Sequence, residues 1–344
     1  MRITLSRPDL DSIRWPEGVD DSGGIGVDRV RQLVEKWRAF DFAAHERELN
    51  RFPHFIESGI HFIHLRSAHA GAMPLLLLHG WPGSFIEFLK VGPLLAERFH
   101  VVIPSLPGYG FSDKPRQRGM SNYAIGLRML DLMQSLGYER FGVQGGDWGA
   151  GIATWMAITE PDRVAAIHLN YVPGSYVPPP GPPPTAEEEQ FLESVKRWID
   201  ASGAYGRIQR TRPLTLGYGL NDSPVGLLAW LAEKFDEWSD PAALVDDETI
   251  LLNATIYWTT ATIYSSMRLY LESVATPLAL QQPVPVPAGF ARFALEEPFP
   301  PRSWVERGYE VRHWSEFPTG GHFAALEQPE LLANDAAAFF TSQS

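Results

Sequence analysis

What most limits how this chain can fold is a recurring pair: a short, largely apolar run followed by a longer segment of helical spacing. Pro74-Leu75-Leu76-Leu77-Leu78 is too short for a helix and stops at His79-Gly80. A strand that is apolar at every position, not at alternate ones, is buried on both faces, as in a parallel sheet covered by helices. The same reading holds for 100–104, 141–144 and 164–169, with helices predicted over 84–99, 123–136 and 150–158. Alternation of this kind predicts an α/β fold with a mainly parallel central sheet. It breaks at Pro178-Pro179-Pro180-Gly181-Pro182-Pro183-Pro184, beyond which 185–201, 224–238 and 249–272 read as helices. Thr185 and Glu188 form a capping-box start to the first of these. Strands return at 284–290 and 309–314, and a last helix is predicted over 323–340. A block of helices over 172–275 therefore interrupts one α/β domain. Ahead of that domain, Val30, Leu33, Val34 and Trp37 have helical spacing, and residues 60–65 alternate like a strand.

Charge and composition exclude whole classes of partner. Lysine plus arginine number 29 against 41 aspartate plus glutamate, a net charge of −12, and no basic run interrupts the balance. Such a chain is a poor binder of nucleic-acid backbones or anionic lipid. With no cysteine, disulfides, thiolate nucleophiles and cysteine-based metal sites are ruled out. The absence of a signal-peptide core or a membrane-length apolar run leads us to expect a soluble, cytoplasmic protein.

Three motifs carry chemistry. Gly145-Gly146-Asp147-Trp148-Gly149 falls at a strand-to-helix junction. A nucleophile elbow needs small residues two before and two after the nucleophile, because backbone crowds that turn. Gly145 and Gly149 satisfy this with Asp147 in the place of the usual serine; the plainer reading makes Asp147 a helix N-cap. His79-Gly80-Trp81-Pro82-Gly83 follows a buried strand, where a loop amide completes an oxyanion hole with the amide after the nucleophile. Those amides are here Trp81 and Trp148. Gly320-Gly321-His322-Phe323 offers a histidine before the last helix, and Glu296, Glu297 and Glu306 are candidates for its orienting carboxylate. His61, His64 and His69 suggest no metal site, since residues 61 and 64 face opposite sides of a strand.

This constellation resembles the α/β-hydrolase fold, and its residues are similar to the epoxide hydrolases of the microsomal and juvenile-hormone type. Glu48-Leu49-Asn50-Arg51-Phe52-Pro53-His54-Phe55 and the stretch from His61 to Ser67 resemble the N-terminal segment peculiar to that group, and Leu220-Asn221-Asp222-Ser223-Pro224-Val225-Gly226-Leu227 resembles its helical lid. The microsomal members' membrane anchor has no counterpart here, so a soluble relative is expected. The resemblance implies an N-terminal segment over 1–58 packed on the core, an α/β-hydrolase core over 59–171 and 276–344, and an inserted lid over 172–275. It also implies Asp147 as nucleophile, His322 as base and Glu296 as acid, with Glu297 the competitor. Tyr205 and Tyr270 would be the lid tyrosines that hold the oxirane oxygen. The implied reaction turns an epoxide into a vicinal diol through an alkyl ester on Asp147, hydrolysed by water that His322 activates. No metal or organic cofactor is required, and the partners are a small-molecule epoxide and water; homo-oligomerisation stays open. Trp198, Trp230, Trp238 and Trp258 point to a lipophilic substrate. Two other readings stay open: a haloalkane or haloacid dehalogenase, with Trp81 and Trp148 serving halide, and a non-catalytic ligand receptor.

Overall fold

The computed structural model describes residues 1–17 and 23–343. One sheet of 8 strands runs in the order β1-β2-β4-β3-β5-β6-β7-β8. These are β1 (His54–Glu57), β2 (Ile60–Leu65), β3 (Pro74–Leu78), β4 (His100–Pro104), β5 (Phe141–Gly145), β6 (Val164–Leu169), β7 (Val284–Phe293) and β8 (Tyr309–Phe317). From β3 to β8 every pairing is parallel, whereas β1 and β2 add an antiparallel edge. Leu75, Leu76, Leu77 and Leu78 are fully buried, as a strand covered on both faces requires. Leu78 pairs with Gly145 and Gly145 with Leu169, so β3, β5 and β6 end level and their following loops emerge together. Ligands in open parallel sheets bind at such an edge.

Several expected helices are divided, each for a local reason. Residues 84–99 form a 3₁₀ turn over Phe85–Phe88 and then a short helix over Val91–Ala96. Pro93 sits in the first turn of that helix, where its missing N–H leaves the Leu89 carbonyl without the bond a continuous helix would make, and the break falls just ahead of it. The last helix is likewise split into Ala324–Glu327 and Pro329–Thr341, with Pro329 at a helix start. Over 249–272 there are two helices, Asp247–Thr260 and Ile263–Glu272, separated by Ala261 in the left-handed conformation (φ 48°). Thr260 spends its hydroxyl on the Ile256 carbonyl (2.7 Å), a side-chain bond that competes with helix propagation. Outside the inserted block Phe42–Leu49 and Arg302–Glu306 were not anticipated as helices, and within it two more were not, Ala204–Thr211 and Pro213–Asp222. Gly206, Gly217 and Gly219 lower their helical propensity. At Gly217 a Cβ would lie 3.1 Å from Tyr264 Cβ, so glycine is what allows the close approach of the facing helix.

The N-terminal segment contains Val27–Arg38 and Phe42–Leu49 as helices and touches both core and block. His54 Nδ1 meets His61 Nε2 at 2.9 Å across β1 and β2. Trp37, fully buried, donates its indole N–H to Thr255 Oγ1 at 2.8 Å, and Arg29 pairs with Asp236 at 2.8 Å. The segment therefore packs on the inserted helices as well as on the core.

Candidate active site

Asp147 is the first residue of the helix Asp147–Thr159 and has φ 45°. A left-handed conformation at a non-glycine residue costs about 1–3 kcal/mol and persists only where its surroundings enforce it. Here the enforcement is steric. A Cβ at Gly145 would lie 2.6 Å from the Gly149 carbonyl carbon, and one at Gly149 would collide with the Leu78 carbonyl oxygen. The N-cap is Gly146, which sets aside the plainer reading of Asp147 as a cap. Its carboxylate instead crosses to the next loop, where Oδ1 accepts the Trp81 N–H at 2.8 Å. Gly80 makes room, since a Cβ there would overlap this carboxylate.

His322 stands opposite. Its Nε2 is 3.7 Å from Asp147 Oδ2, and its Nδ1 is 2.8 Å from Glu296 Oε2. Glu296 is buried, whereas Glu297 is exposed and faces Arg292 at 3.7 Å, and Glu306 pairs with Arg302 at 2.7 Å. Of the candidate carboxylates, only Glu296 reaches the histidine. The His322 backbone N–H donates to the Trp238 carbonyl at 2.9 Å, tying this loop to the helical block. Burial alone would lower the titration of His322, but the negative charges of Glu296, Asp147 and Glu87 raise it to about 9. Asp147 is pushed upward by burial, an effect opposed by His322 and by the Trp81 and Trp148 amides.

Tyr205 and Tyr270 close the site from the helical block. Tyr205 stacks on the Trp81 ring (5.3 Å, 10°), Tyr270 meets Trp148 edge-on (4.8 Å, 84°), and their own ring centroids are 6.0 Å apart. Burial raises both phenols well above their ordinary range, so each is a proton donor at neutral pH. The tryptophans separate into two groups. Trp238 faces His322 (5.1 Å) and Trp198 meets Tyr205 (6.4 Å), while Trp230 bonds Gln209 and, like Trp258, packs against the core. His61 and His64 are spent on Ser105 and Tyr138, each at 2.8 Å.

Some functional neighbours were not found from sequence. Glu327 accepts the amides of Gly321 and Phe323, both at 2.8 Å, and of Asp240 at 2.7 Å, and so shapes the His322 loop. Glu87, in the 3₁₀ turn after Trp81-Pro82-Gly83, points into the site. Its carboxyl is raised to about 8 by burial, against the lowering effect of His322. Gly83 was the available signal, because a Cβ there would overlap Glu87 Oε1.

Residues 2–88 match the family model described as epoxide hydrolase N terminus, and residues 73–202 match that of the alpha/beta hydrolase fold. The chain is similar to epoxide hydrolase 1 of Oryctolagus cuniculus, 36% identical over 384 residues, with 96% of this chain and 84% of that protein covered. It is 33% identical to juvenile hormone epoxide hydrolase 1 of Ctenocephalides felis, covering 93% of this chain and 78% of the other. The structure of Aspergillus niger epoxide hydrolase superposes with a TM-score of 0.87 at 32% identity, covering 99% of this chain and 96% of that one.

Proposed function

The chain belongs to the epoxide hydrolase family of the α/β-hydrolase fold and hydrolyses the ether bond of epoxides, and we propose that it does so through a covalent ester on Asp147. This membership replaces the dehalogenase and receptor readings. The observation that carries the proposal is the division of labour between the two carboxylate oxygens. Oδ1 is held by the Trp81 amide at 2.8 Å, while Oδ2 faces His322 at 3.7 Å.

Oδ2 is then the attacking atom, displacing the ring oxygen in line. Tyr205 and Tyr270 hydrogen-bond that oxygen, and one of them protonates it as the carbon–oxygen bond breaks. Esterification removes the charge of Asp147. One of the influences holding His322 at about 9 disappears, and its proton balances the phenolate left by ring opening. Neutral His322, oriented by Glu296, next takes a proton from water as the water attacks the ester carbonyl. That carbonyl oxygen is Oδ1, already held by the Trp81 amide, and the Trp148 amide also bonds this carboxyl group. A donor of this kind is worth about 3–4 kcal/mol to the developing oxyanion.

The same proposal takes residues 172–275 as the lid, a lipophilic epoxide as substrate and the cytoplasm as the place of action. Trp198 and Trp238, beside Tyr205 and His322, support the substrate class. A single turnover in ¹⁸O-water tests the chemistry. The first diol should carry unlabelled oxygen from Asp147 and the label should enter the enzyme; label in that first diol would mean direct hydration.

A further inference from the structure

Glu87 is a buried carboxyl that the ester chemistry above leaves without a task. It reaches the site from the turn after Trp81-Pro82-Gly83 by folding back over Gly83, whose missing side chain leaves the space that Glu87 Oε1 fills. Glu87, Asp147 and His322 line a common cavity of about 10 Å³, together with Gly80, Gly146 and Asn170. That is room for about one water, which needs two to four polar partners to be held. We propose that this cavity is the seat of the hydrolytic water and that Glu87 positions it for attack on the Asp147 ester.

The inference rests on the ester mechanism and deepens it. Water seated there gives one hydrogen bond to His322 Nε2 and the other to a Glu87 oxygen. Its lone pair is thereby left facing the ester carbon. His322 takes the first proton as the new carbon–oxygen bond forms. When the tetrahedral intermediate collapses, the bond from Asp147 to the alkyl oxygen breaks and His322 returns the proton to that oxygen. Asp147 regains its carboxylate with one oxygen from water. Glu87 only accepts a hydrogen bond, a task open to its acid and its carboxylate form alike. In the unreacted enzyme burial, against the lowering effect of His322, raises it to about 8, so its protonation need not change for it to act as acceptor.

The experiment separates the two half-reactions by rapid quench and intact mass, with styrene oxide as probe. Glu87→Leu keeps the bulk and removes the acceptor. Formation of the ester should stay within about twofold of wild type, while its hydrolysis falls about a hundredfold, the loss expected when a reacting group is misplaced by about 1 Å. The protein should therefore accumulate an adduct with the mass of the epoxide. Glu87→Gln, which retains an acceptor oxygen, should recover most of that rate. Gly83→Ala, which expels the Glu87 carboxyl without altering it, should again accumulate the adduct, and it tests the proposal if Glu87→Leu does not fold. Equal slowing of both half-reactions, or no adduct in either Glu87→Leu or Gly83→Ala, would overturn it. His322→Gln is the control for the underlying mechanism. If it traps no ester, the Asp147–His322 reading fails; if it does and the Glu87 variants do not, only the role of Glu87 fails.

Discussion

Neutralising Asp147 should move the titration of His322, and the size of the move tests whether alkylation frees the base. Asp147→Asn keeps the shape of the carboxylate and removes its charge, as esterification does. Asp147 Oδ2 lies 3.7 Å from His322 Nε2. Unit charges at that distance interact by about 4 kcal/mol at an effective dielectric of ~20, equivalent to about 3 pH units. The carboxylate shares its charge over two oxygens, one of them held by the Trp81 amide, so the expected fall is about 1–3 units. His322 should therefore titrate near about 7 in the variant, against about 9 in the free enzyme. Glu296→Gln removes the carboxylate 2.8 Å from Nδ1, and burial should then pull His322 toward or below its ordinary range. Ring ¹⁵N shifts of histidine-labelled protein report the titration, with His322→Gln assigning the resonance and intact mass confirming that the asparagine has not deamidated. Titration of Asp147→Asn within about 0.3 units of wild type would refute the electrostatic coupling on which the base-release step depends.

Three further outcomes follow from separate parts of the structure. Tyr205→Phe and Tyr270→Phe should each slow ester formation, and the double variant should lose about 10²–10⁴-fold in single-turnover alkylation, with hydrolysis of preformed ester much less affected. Gly149→Ala drives a methyl into the Leu78 carbonyl oxygen; urea melts should show a loss of about 3 kcal/mol or more, or no folded protein. Burial would raise Asp335, but hydrogen bonds from His168, Ser315 and His313 hold it at about 2. A depressed carboxylate adds stability above its unfolded value of ~3.9 and loses it as pH falls through the folded value, so Asp335→Asn should cost about 2 kcal/mol at pH 7 and flatten the acid limb in thermal melts.

The sheet was legible because its central strands are short, largely apolar runs between helical segments, the pattern of parallel strands covered on both faces. Asp147 was legible for the same steric reason: Gly145 and Gly149 mark the crowded turn before any family likeness is invoked. Glu296 was not separable from Glu297 by pattern, since neighbouring residues in a loop leave β7 in directions that only the backbone fixes. Tyr205 was selected by likeness alone, and its helix, Ala204–Thr211, was hidden by glycine. Glu87 escaped altogether. It sits in a stretch read as one helix, whereas that stretch is a 3₁₀ turn, which carries Glu87, followed by a separate short helix.

The N-terminal segment bears on the base through a continuous set of contacts. Arg29 and Trp37 fix the helix Val27–Arg38 to Asp236 on Pro224–Trp238 and to Thr255 on Asp247–Thr260. The first of those helices ends at Trp238, whose carbonyl takes the His322 N–H and whose ring lies against the imidazole. Asp240, just beyond, accepts the Gly320 N–H at 2.8 Å and gives its own N–H to Glu327. The loop that presents His322 is loose in sequence, with Gly320 and Gly321 before it, yet it is hydrogen-bonded on both sides to the helical block. The position of His322 toward Asp147 thus depends on the helical block as well as on Glu327 and Glu296, and the N-terminal helices pack on that block from the far side. A continuous chain of contacts therefore links the N-terminal segment, through the helical block, to the loop that carries His322.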